Sequence, residues 1–201
     1  IQAELFKDDR TADRGIPSKN GRPWKGGNKK SRDTFFGSAA LSPTDTNKKA
    51  ISMHIDHKFN DNFKVRNRTH YSKFDKFYQN IYANSEVSSN NQVTLGGYND
   101  QTDRENFFNQ SDLLFNLNTG PIKHNIITGL EVSRQVTKQV RKKAVFGSSK
   151  VVNAFDPTYR GSLTFQDYAL ADGKSNHSIS TSAVGVYIQD HVELHPMVHA
   201  T

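Results

Sequence analysis

The 201-residue chain contains no cysteine, a single tryptophan and only two methionines. Without cysteine it can form no disulfide framework, no thiolate zinc site and no cysteine nucleophile. Only 34% of its residues are hydrophobic, which argues against one large water-excluded core. No run of about 18 apolar residues occurs, so a transmembrane helix is excluded. A membrane-spanning barrel is not, because barrel strands carry a far weaker sequence signal.

The motifs of common catalytic sites are also missing. The chain has no Gly-x-Ser-x-Gly nucleophile elbow, no phosphate-binding Gly-Lys-Ser/Thr loop and no His-Glu-x-x-His pair. His54 and His57 are three residues apart, which on a strand places them on opposite faces. We therefore expect neither enzymatic activity nor a metal held by the protein.

A period of two residues dominates the sequence. In 51–59 the side chains of Ile51, Met53, Ile55 and Phe59 alternate with polar ones, as on a strand with one apolar and one polar side. The same alternation recurs at 63–71, 110–117, 123–136 and 183–194, and more weakly at 1–7. These segments predict an all-β, antiparallel protein.

The predicted connections alternate between short and long. The short ones lie at 60–62, 118–121 and 195–196, and the long polar ones near 15–45, 84–103 and 147–176. Short turns on one side and long extracellular loops on the other are typical of an outer-membrane barrel. A soluble two-sheet sandwich also has alternating strands, but loops this long are uncommon in compact domains.

Seven short motifs are distributed along nearly the whole chain. They lie at 13–23, 34–37, 66–78, 104–113, 119–124, 129–131 and 186–194. They include Thr34-Phe35-Phe36-Gly37 and Val186-Tyr187-Ile188-Gln189-Asp190. Together they resemble TonB-dependent siderophore receptors, with the ferrichrome or catecholate type as the nearest kind.

The resemblance implies a barrel of about 22 strands closed by a plug domain. It also implies uptake of a ferric siderophore across the bacterial outer membrane, with energy from the TonB complex acting through the plug. All of 1–201 is assigned to the barrel, as about six strands and the start of a seventh, without a plug. Because the chain starts at Ile1 without methionine or signal peptide, we expect it to be part of a longer exported protein. Iron would be held by the siderophore, and no cofactor is expected.

Aromatic and basic residues where strands meet long loops are candidates for contacts with the siderophore. They are Trp24, Phe35, Phe36, Phe77, Tyr78, Tyr82, Tyr98, Arg141 and Lys142. Tyr78 and Tyr82 would equally suit an interfacial aromatic girdle, and the loop aromatics would equally suit loop packing.

The basic residues also have alternative roles. The segment 141–143 could be a solvated strand end or pair with lipopolysaccharide phosphates. Lys64, Arg66 and Arg68 alternate along one strand, and we expect them to line the lumen and contact the plug, because a dry core would leave their charges unpaired.

Other functions remain open from the sequence. A non-specific outer-membrane channel or an adhesin would show the same strand pattern, and a soluble β-sandwich binding domain is a third possibility. The formal charge of +7 also suits nucleic-acid binding. The charge is spread over many segments without an RNP-like motif, so no nucleic-acid partner is expected.

Overall fold

The computed structural model describes residues 1–26, 33–169 and 176–201, most of which are in β-strands. The strands are β1 Gln2–Thr11, β2 Ser18–Lys19, β3 Arg22–Pro23, β4 Pro43–Asn60, β5 Phe63–Ala83, β6 Gln92–Thr119, β7 Ile122–Phe146, β8 Val151–Asn153, β9 Leu163–Asp167, β10 His177–His195 and β11 Val198–Ala200. Within these ranges the chain forms no helix that could cross a membrane.

One large antiparallel sheet contains nearly all of the strands. Its order is β1-β4-β5-β6-β7-β10-β11, with β8 added to β6 and β9 added to β7, while β2 and β3 form a separate two-stranded sheet. The predicted all-β antiparallel fold is confirmed. Among the described strands no second sheet covers the large one, and the large one does not close on itself. The described strands therefore do not form the two-sheet sandwich considered as an alternative.

Residues directly opposite each other on neighbouring strands share a face of the sheet. Ile51 pairs with Tyr71, Tyr71 with Phe107, and Val132 with Val184; the side that carries them is here named the apolar face. Many of its large side chains are exposed, among them Leu5 at 82% and Val186 at 78%. The other side, named the polar face, carries Lys64, Arg66 and Arg68, as the alternation predicted.

Aromatic side chains mark two heights on the apolar face. Near the short turns, the rings of Phe59, Phe63 and Phe115 stack with centroids 5.1 and 4.9 Å apart. Further along, Tyr71 lies opposite Phe107. From Phe63 to Tyr71 the strand rises about 26 Å at about 3.3 Å per residue. Because barrel strands tilt by about 35–45°, this length corresponds to roughly 19–22 Å along the barrel axis, somewhat less than the roughly 25 Å apolar band of outer-membrane barrels.

The connections differ from the sequence prediction at one place. The predicted long loop at 84–103 is wrong, because β6 begins at Gln92. Val93 and Leu95 are fully buried there, but Gly96 and Gly97 interrupt the alternation and obscure the strand in the sequence. The 15–45 connection includes the β2–β3 hairpin, and the 147–176 connection carries β8 and β9. Residues 27–32 and 170–175 of these two connections lie outside the described residues.

The described loop residues at 12–26, 33–42, 84–91 and 147–162 pack together into what we call the loop cap. Trp24, Phe36, Val87, Val93 and Ala154 form one buried cluster in it. A neighbouring cluster is formed by Ile81, Leu95 and Tyr159. Gly37 runs against the backbone of Ile81 with a φ of 136°, so a side chain would not fit there. The cap is therefore a packed structure with its own small core.

A carboxylate ties the first loop to the second. Glu86 accepts hydrogen bonds from the Ser18 hydroxyl (2.7 Å) and the Gly21 backbone N–H (3.1 Å). Asn20 and Gly21 form the hairpin turn with φ of 53° and 70°, which suits a type I′ turn. The hydroxyl of Ser18 and the N–H of Gly21 hold the pKa of the Glu86 carboxyl below its usual value.

On the polar face, one glycine makes room for a long side chain. Tyr187 on β10 lies opposite Gly129 on β7, and its ring crosses Gly129 to reach β6. There its hydroxyl donates to Asp112, which is 2% exposed, and accepts a hydrogen bond from Gln110 at 2.7 Å. A β-carbon at Gly129 would overlap the ring of Tyr187. This crossing contact joins three strands.

We predict that Gly129→Ala displaces the Tyr187 ring and lowers the free energy of unfolding by about 1–3 kcal/mol. Urea unfolding of the purified protein would measure the effect. Gly185→Ala is the matched control, because a β-carbon at Gly185 meets nothing within 4 Å. Equal effects of the two substitutions would contradict the prediction.

We also predict that Glu86→Gln speeds amide exchange in the Ser18–Pro23 hairpin, because a neutral amide accepts a weaker hydrogen bond than a carboxylate. In the native chain, lowering the pH should also speed amide exchange in this hairpin. Since the folded pKa of Glu86 is depressed, the contact is complete above the ordinary pKa of 4.5 and is lost as pH falls through the lower folded value. Hydrogen-exchange mass spectrometry against pH would show this step. If the step persists unchanged in Glu86→Gln, Glu86 is not the titrating group.

Candidate functional site

Three tyrosines meet on the polar face, next to the loop cap. Tyr78 and Tyr82 are four residues apart on β5 and so point to the same side, and Tyr98 comes from β6. The ring centroids of Tyr78 and Tyr98 are 5.8 Å apart, and those of Tyr82 and Tyr98 are 6.3 Å apart. The tyrosine rings thus form one aromatic surface across two strands.

Each of the three rings has a cation over it. The guanidinium of Arg14 lies 4.0 Å from the centroid of the Tyr82 ring, and that of Arg141 lies 4.7 Å from the Tyr98 ring. The Lys76 ammonium lies 5.6 Å from the Tyr78 ring. All three distances are within the range in which a cation is attracted to the ring face.

Asp100 fixes the position of Arg141. The Asp100 carboxylate is buried and accepts bonds from Arg141 Nε at 2.6 Å and from Gln139 Nε2 at 2.8 and 2.6 Å. An ion pair joins Arg141 Nη2 to the same carboxylate at 2.5 Å. Because Asp100 is opposite Arg141 in the β6–β7 register, these bonds hold the guanidinium over Tyr98.

An open cavity of about 310 Å³ lies in front of Tyr78, Tyr98 and Arg141. It is also lined by Lys76, Asp100, Thr102 and Gln139, whereas Tyr82 and Arg14 are connected to it through the Tyr98 ring. Its volume is at the lower end of the range for small-ligand sites. We call the whole arrangement the tyrosine site; its members are Arg14, Lys76, Tyr78, Tyr82, Tyr98, Asp100, Gln139 and Arg141. Aromatic faces with adjacent cations suit a flat ligand that carries negative charge.

Four of the nine predicted contact residues come together in this site: Tyr78, Tyr82, Tyr98 and Arg141. Phe77 and Lys142 do not, because each is next in sequence to a site residue and therefore points to the opposite face. Phe77 lies opposite Gln101 on the other side of the sheet, and Lys142 lies 3.9 Å from Asp167. Neither side chain reaches the cavity from that face, and contact of these two residues with a siderophore stays a prediction.

The loop aromatics also lie away from the cavity. Trp24 is 7% and Phe36 is 2% exposed, and their rings pack edge to face with centroids 5.8 Å apart. Phe35 is half-buried. Trp24 and Phe36 thus form part of the loop-cap core, which is the loop-packing alternative considered for them.

The basic stripe lies on the polar face below the tyrosine site. Lys64 Nζ and Arg66 Nε both contact Asp56, at 3.1 and 3.0 Å. Arg68 is exposed between His54 and Gln110 in the register. Their role in plug contact stays a prediction.

Four members of the site were not predicted from the sequence: Arg14, Lys76, Asp100 and Gln139. For three of them a signal existed, since Lys76, Asp100 and Gln139 are each two residues from a predicted contact on the same strand. Arg14 had no such signal, because it follows β1 in a loop. In the described residues no group of three or more His, Asp or Glu side chains could hold a metal ion.

Residues 2–201 match the family model described as TonB dependent receptor-like, beta-barrel. Among curated proteins, the metal-pseudopaline receptor CntO of Pseudomonas aeruginosa is 26% identical over 141 residues. That alignment covers 67% of this chain and 18% of the relative. The chain therefore spans less than a fifth of the length of this relative.

Two solved structures have the same fold as the chain. The closed form of the ferric-catecholate import receptor Fiu from Escherichia coli K12 superimposes with a TM-score of 0.71 at 20% identity, over 96% of this chain and 29% of that one. The siderophore receptor PiuA from Acinetobacter baumannii gives a TM-score of 0.70 at 19% identity, over 96% and 30%. At these identities the similarity establishes the fold.

Proposed function

The chain belongs to the TonB-dependent receptor-like β-barrel family, and from this membership we propose that it forms part of the wall of an outer-membrane receptor for ferric siderophores. Its sheet is open at β1 and at β11, and it spans about 30% of the compared receptor structures. Both facts support a wall completed by further strands of the same receptor. Transport is then a property of the whole receptor.

The tyrosine site carries the proposal. A ferric siderophore presents flat aromatic or amide groups and often a net negative charge. Tyr78, Tyr82 and Tyr98 supply aromatic rings and hydroxyls for such groups, and Arg14, Lys76 and Arg141, each lying over one of the rings, supply positive charge. A ligand that brings both features satisfies rings and cations at once, which a neutral aliphatic ligand does not.

The site is arranged in advance of binding. Asp100 and Gln139 hold Arg141 in place, so little side-chain entropy is lost when a ligand arrives. Asp100 also neutralises part of the Arg141 charge, which leaves Arg14 and Lys76 as the main attraction for an anion. We propose that the siderophore supplies all of the iron ligands and that this chain contacts only its organic shell.

The two faces of the sheet support an orientation in the membrane. We propose that the apolar face meets lipid, that the loop cap lies outside the cell beside lipopolysaccharide, and that the short turns lie in the periplasm. The polar face then lines the lumen. There Lys64, Arg66 and Arg68 would contact a plug, through which the TonB complex acts.

We predict that Arg141→Ala and Tyr78→Ala each weaken ferric siderophore binding by about three- to tenfold, as expected for loss of roughly 0.7–1.4 kcal/mol of cation–π and ring contact. Binding of radioiron-labelled catecholate and hydroxamate complexes to cells expressing the receptor would measure this. Lys142→Ala and Phe77→Ala are matched controls, since each is adjacent in sequence but lies on the opposite face. Equal losses in controls and site variants would contradict the assignment.

The function itself is tested by iron-limited growth. A strain that lacks the gene should fail to grow on one ferric siderophore as sole iron source, and the complemented strain should recover. Unchanged growth of the deletion strain on every complex of a catecholate and hydroxamate panel would overturn the proposed function.

A further inference from the structure

A second pair of an aromatic ring and a guanidinium lies on the polar face, closer to the short turns than the tyrosine site. Phe74 of β5 lies opposite Arg104 of β6 in the register. Phe74 is four residues from Tyr78 on the same strand and therefore shares its face. At about 3.3 Å per residue this separation is about 13 Å along the strand. We call Phe74, Arg104 and Thr137 the lower site.

A neutral hydroxyl fixes the position of Arg104. The Nε–H of Arg104 donates to Thr137 Oγ1 at 3.0 Å, and Thr137 lies directly opposite on β7. Thr137 is buried and Arg104 is half-buried. Within the described parts of the chain, neither Nη group of Arg104 has a hydrogen bond or an ion pair. The two Nη groups are therefore available to an anion, which a guanidinium can hold with two parallel hydrogen bonds.

The wall does not neutralise the charge of Arg104. In the tyrosine site, Arg141 is ion-paired with the Asp100 carboxylate at 2.5 Å. Lys48 lies in the same row as Arg104 and is paired with Glu4 at 3.0 Å. Arg104 has only the Thr137 hydroxyl as a partner among the described residues. It therefore attracts an anion with its full charge, whereas Arg141 and Lys48 do so only in part.

Lys76 lies between the two sites on the same face. It is two residues from Tyr78 in one direction and two residues from Phe74 in the other. Its register partner Thr102 is two residues from Arg104, and such diagonal positions on neighbouring strands are within reach of long side chains. The Lys76 ammonium lies 5.6 Å from the Tyr78 ring and forms no ion pair within the described ranges. Positive charge is therefore continuous from the tyrosine site to Arg104.

We propose that the lower site is a second binding site for an anionic ferric siderophore, which the ligand occupies after it leaves the tyrosine site. This inference rests on the proposed function and on the proposed orientation, in which the lower site is deeper in the lumen. Phe74 offers a ring and Arg104 a charged pair of donors, so the lower site repeats the chemistry of the tyrosine site. Lys76 serves both sites in turn. The lower site acts in uptake, whereas the tyrosine site captures the ligand.

The test measures binding and uptake separately in cells that express the full receptor. Radioiron-labelled catecholate and hydroxamate complexes are the probes. Arg104→Gln should slow uptake by energised cells by about three- to tenfold, because loss of a charge-assisted hydrogen bond leaves fewer receptors with the complex at the deeper position. Binding of the same complex to de-energised cells should stay within about twofold of the native affinity, because the tyrosine site is intact.

Arg134→Gln is the matched control. It is the same substitution, but Arg134 is exposed and lies opposite Phe107 on the apolar face. We expect native binding and native uptake from this variant. Thr137→Val is a second test variant, which keeps the charge of Arg104 but removes the bond that positions it. It should slow uptake less than Arg104→Gln does, and it decides the question if Arg104→Gln does not reach the outer membrane.

Three outcomes would overturn the lower site. They are unchanged uptake in Arg104→Gln and Thr137→Val, equal slowing by Arg134→Gln, and a loss of binding as large as that of Tyr78→Ala, which would place Arg104 in the tyrosine site. If the native receptor binds no complex of the panel, the proposed function itself fails. Normal binding with unaltered uptake in the variants leaves the proposed function intact and removes only the lower site.

Discussion

The alternation of side chains across one wide antiparallel sheet is the constraint on which the rest of this structure depends. Since successive residues point to opposite sides, each strand supplies one row of side chains to the apolar face and the other row to the polar face. A shift of register by a single residue would exchange the two surfaces along a whole strand. The exposed valines and isoleucines of β10 and the charged stripe of β5 are consequences of the same rule.

The tyrosine site shows what this constraint makes possible. Tyr78, Tyr98 and Arg141 are far apart in sequence but meet because the β5–β6 and β6–β7 registers bring their positions together. Asp100 then holds Arg141 over a ring, so the site is rigid without being deep. The loop cap adds Arg14 from outside the sheet. The site therefore combines residues whose positions follow from the pairing of β5, β6 and β7 with one residue, Arg14, whose position depends on loop packing.

The apolar face is less uniform than its period suggests. Most of its central positions are aliphatic, yet Asn67, Thr69, Asn109 and Ser111 replace them on two adjacent strands and satisfy one another by hydrogen bonds. Along either strand alone, these residues are only a weak interruption of the apolar alternation. This group of four polar residues is visible only when β5 and β6 are placed side by side.

The sequence alone determined the strand class, the two faces, the short turns at 60–62 and 118–121, and the family resemblance, because each of these follows from local alternation or from turn chemistry. The tertiary structure decided which of the predicted contact residues come together. Trp24 and Phe36 are buried, since three loops pack on them, while Phe77 and Lys142 face away, since their strand parity differs from that of their neighbours. Arg14 entered the site only through the path of its loop. Such distances between segments remote in sequence depend on register and loop packing, which no local pattern contains.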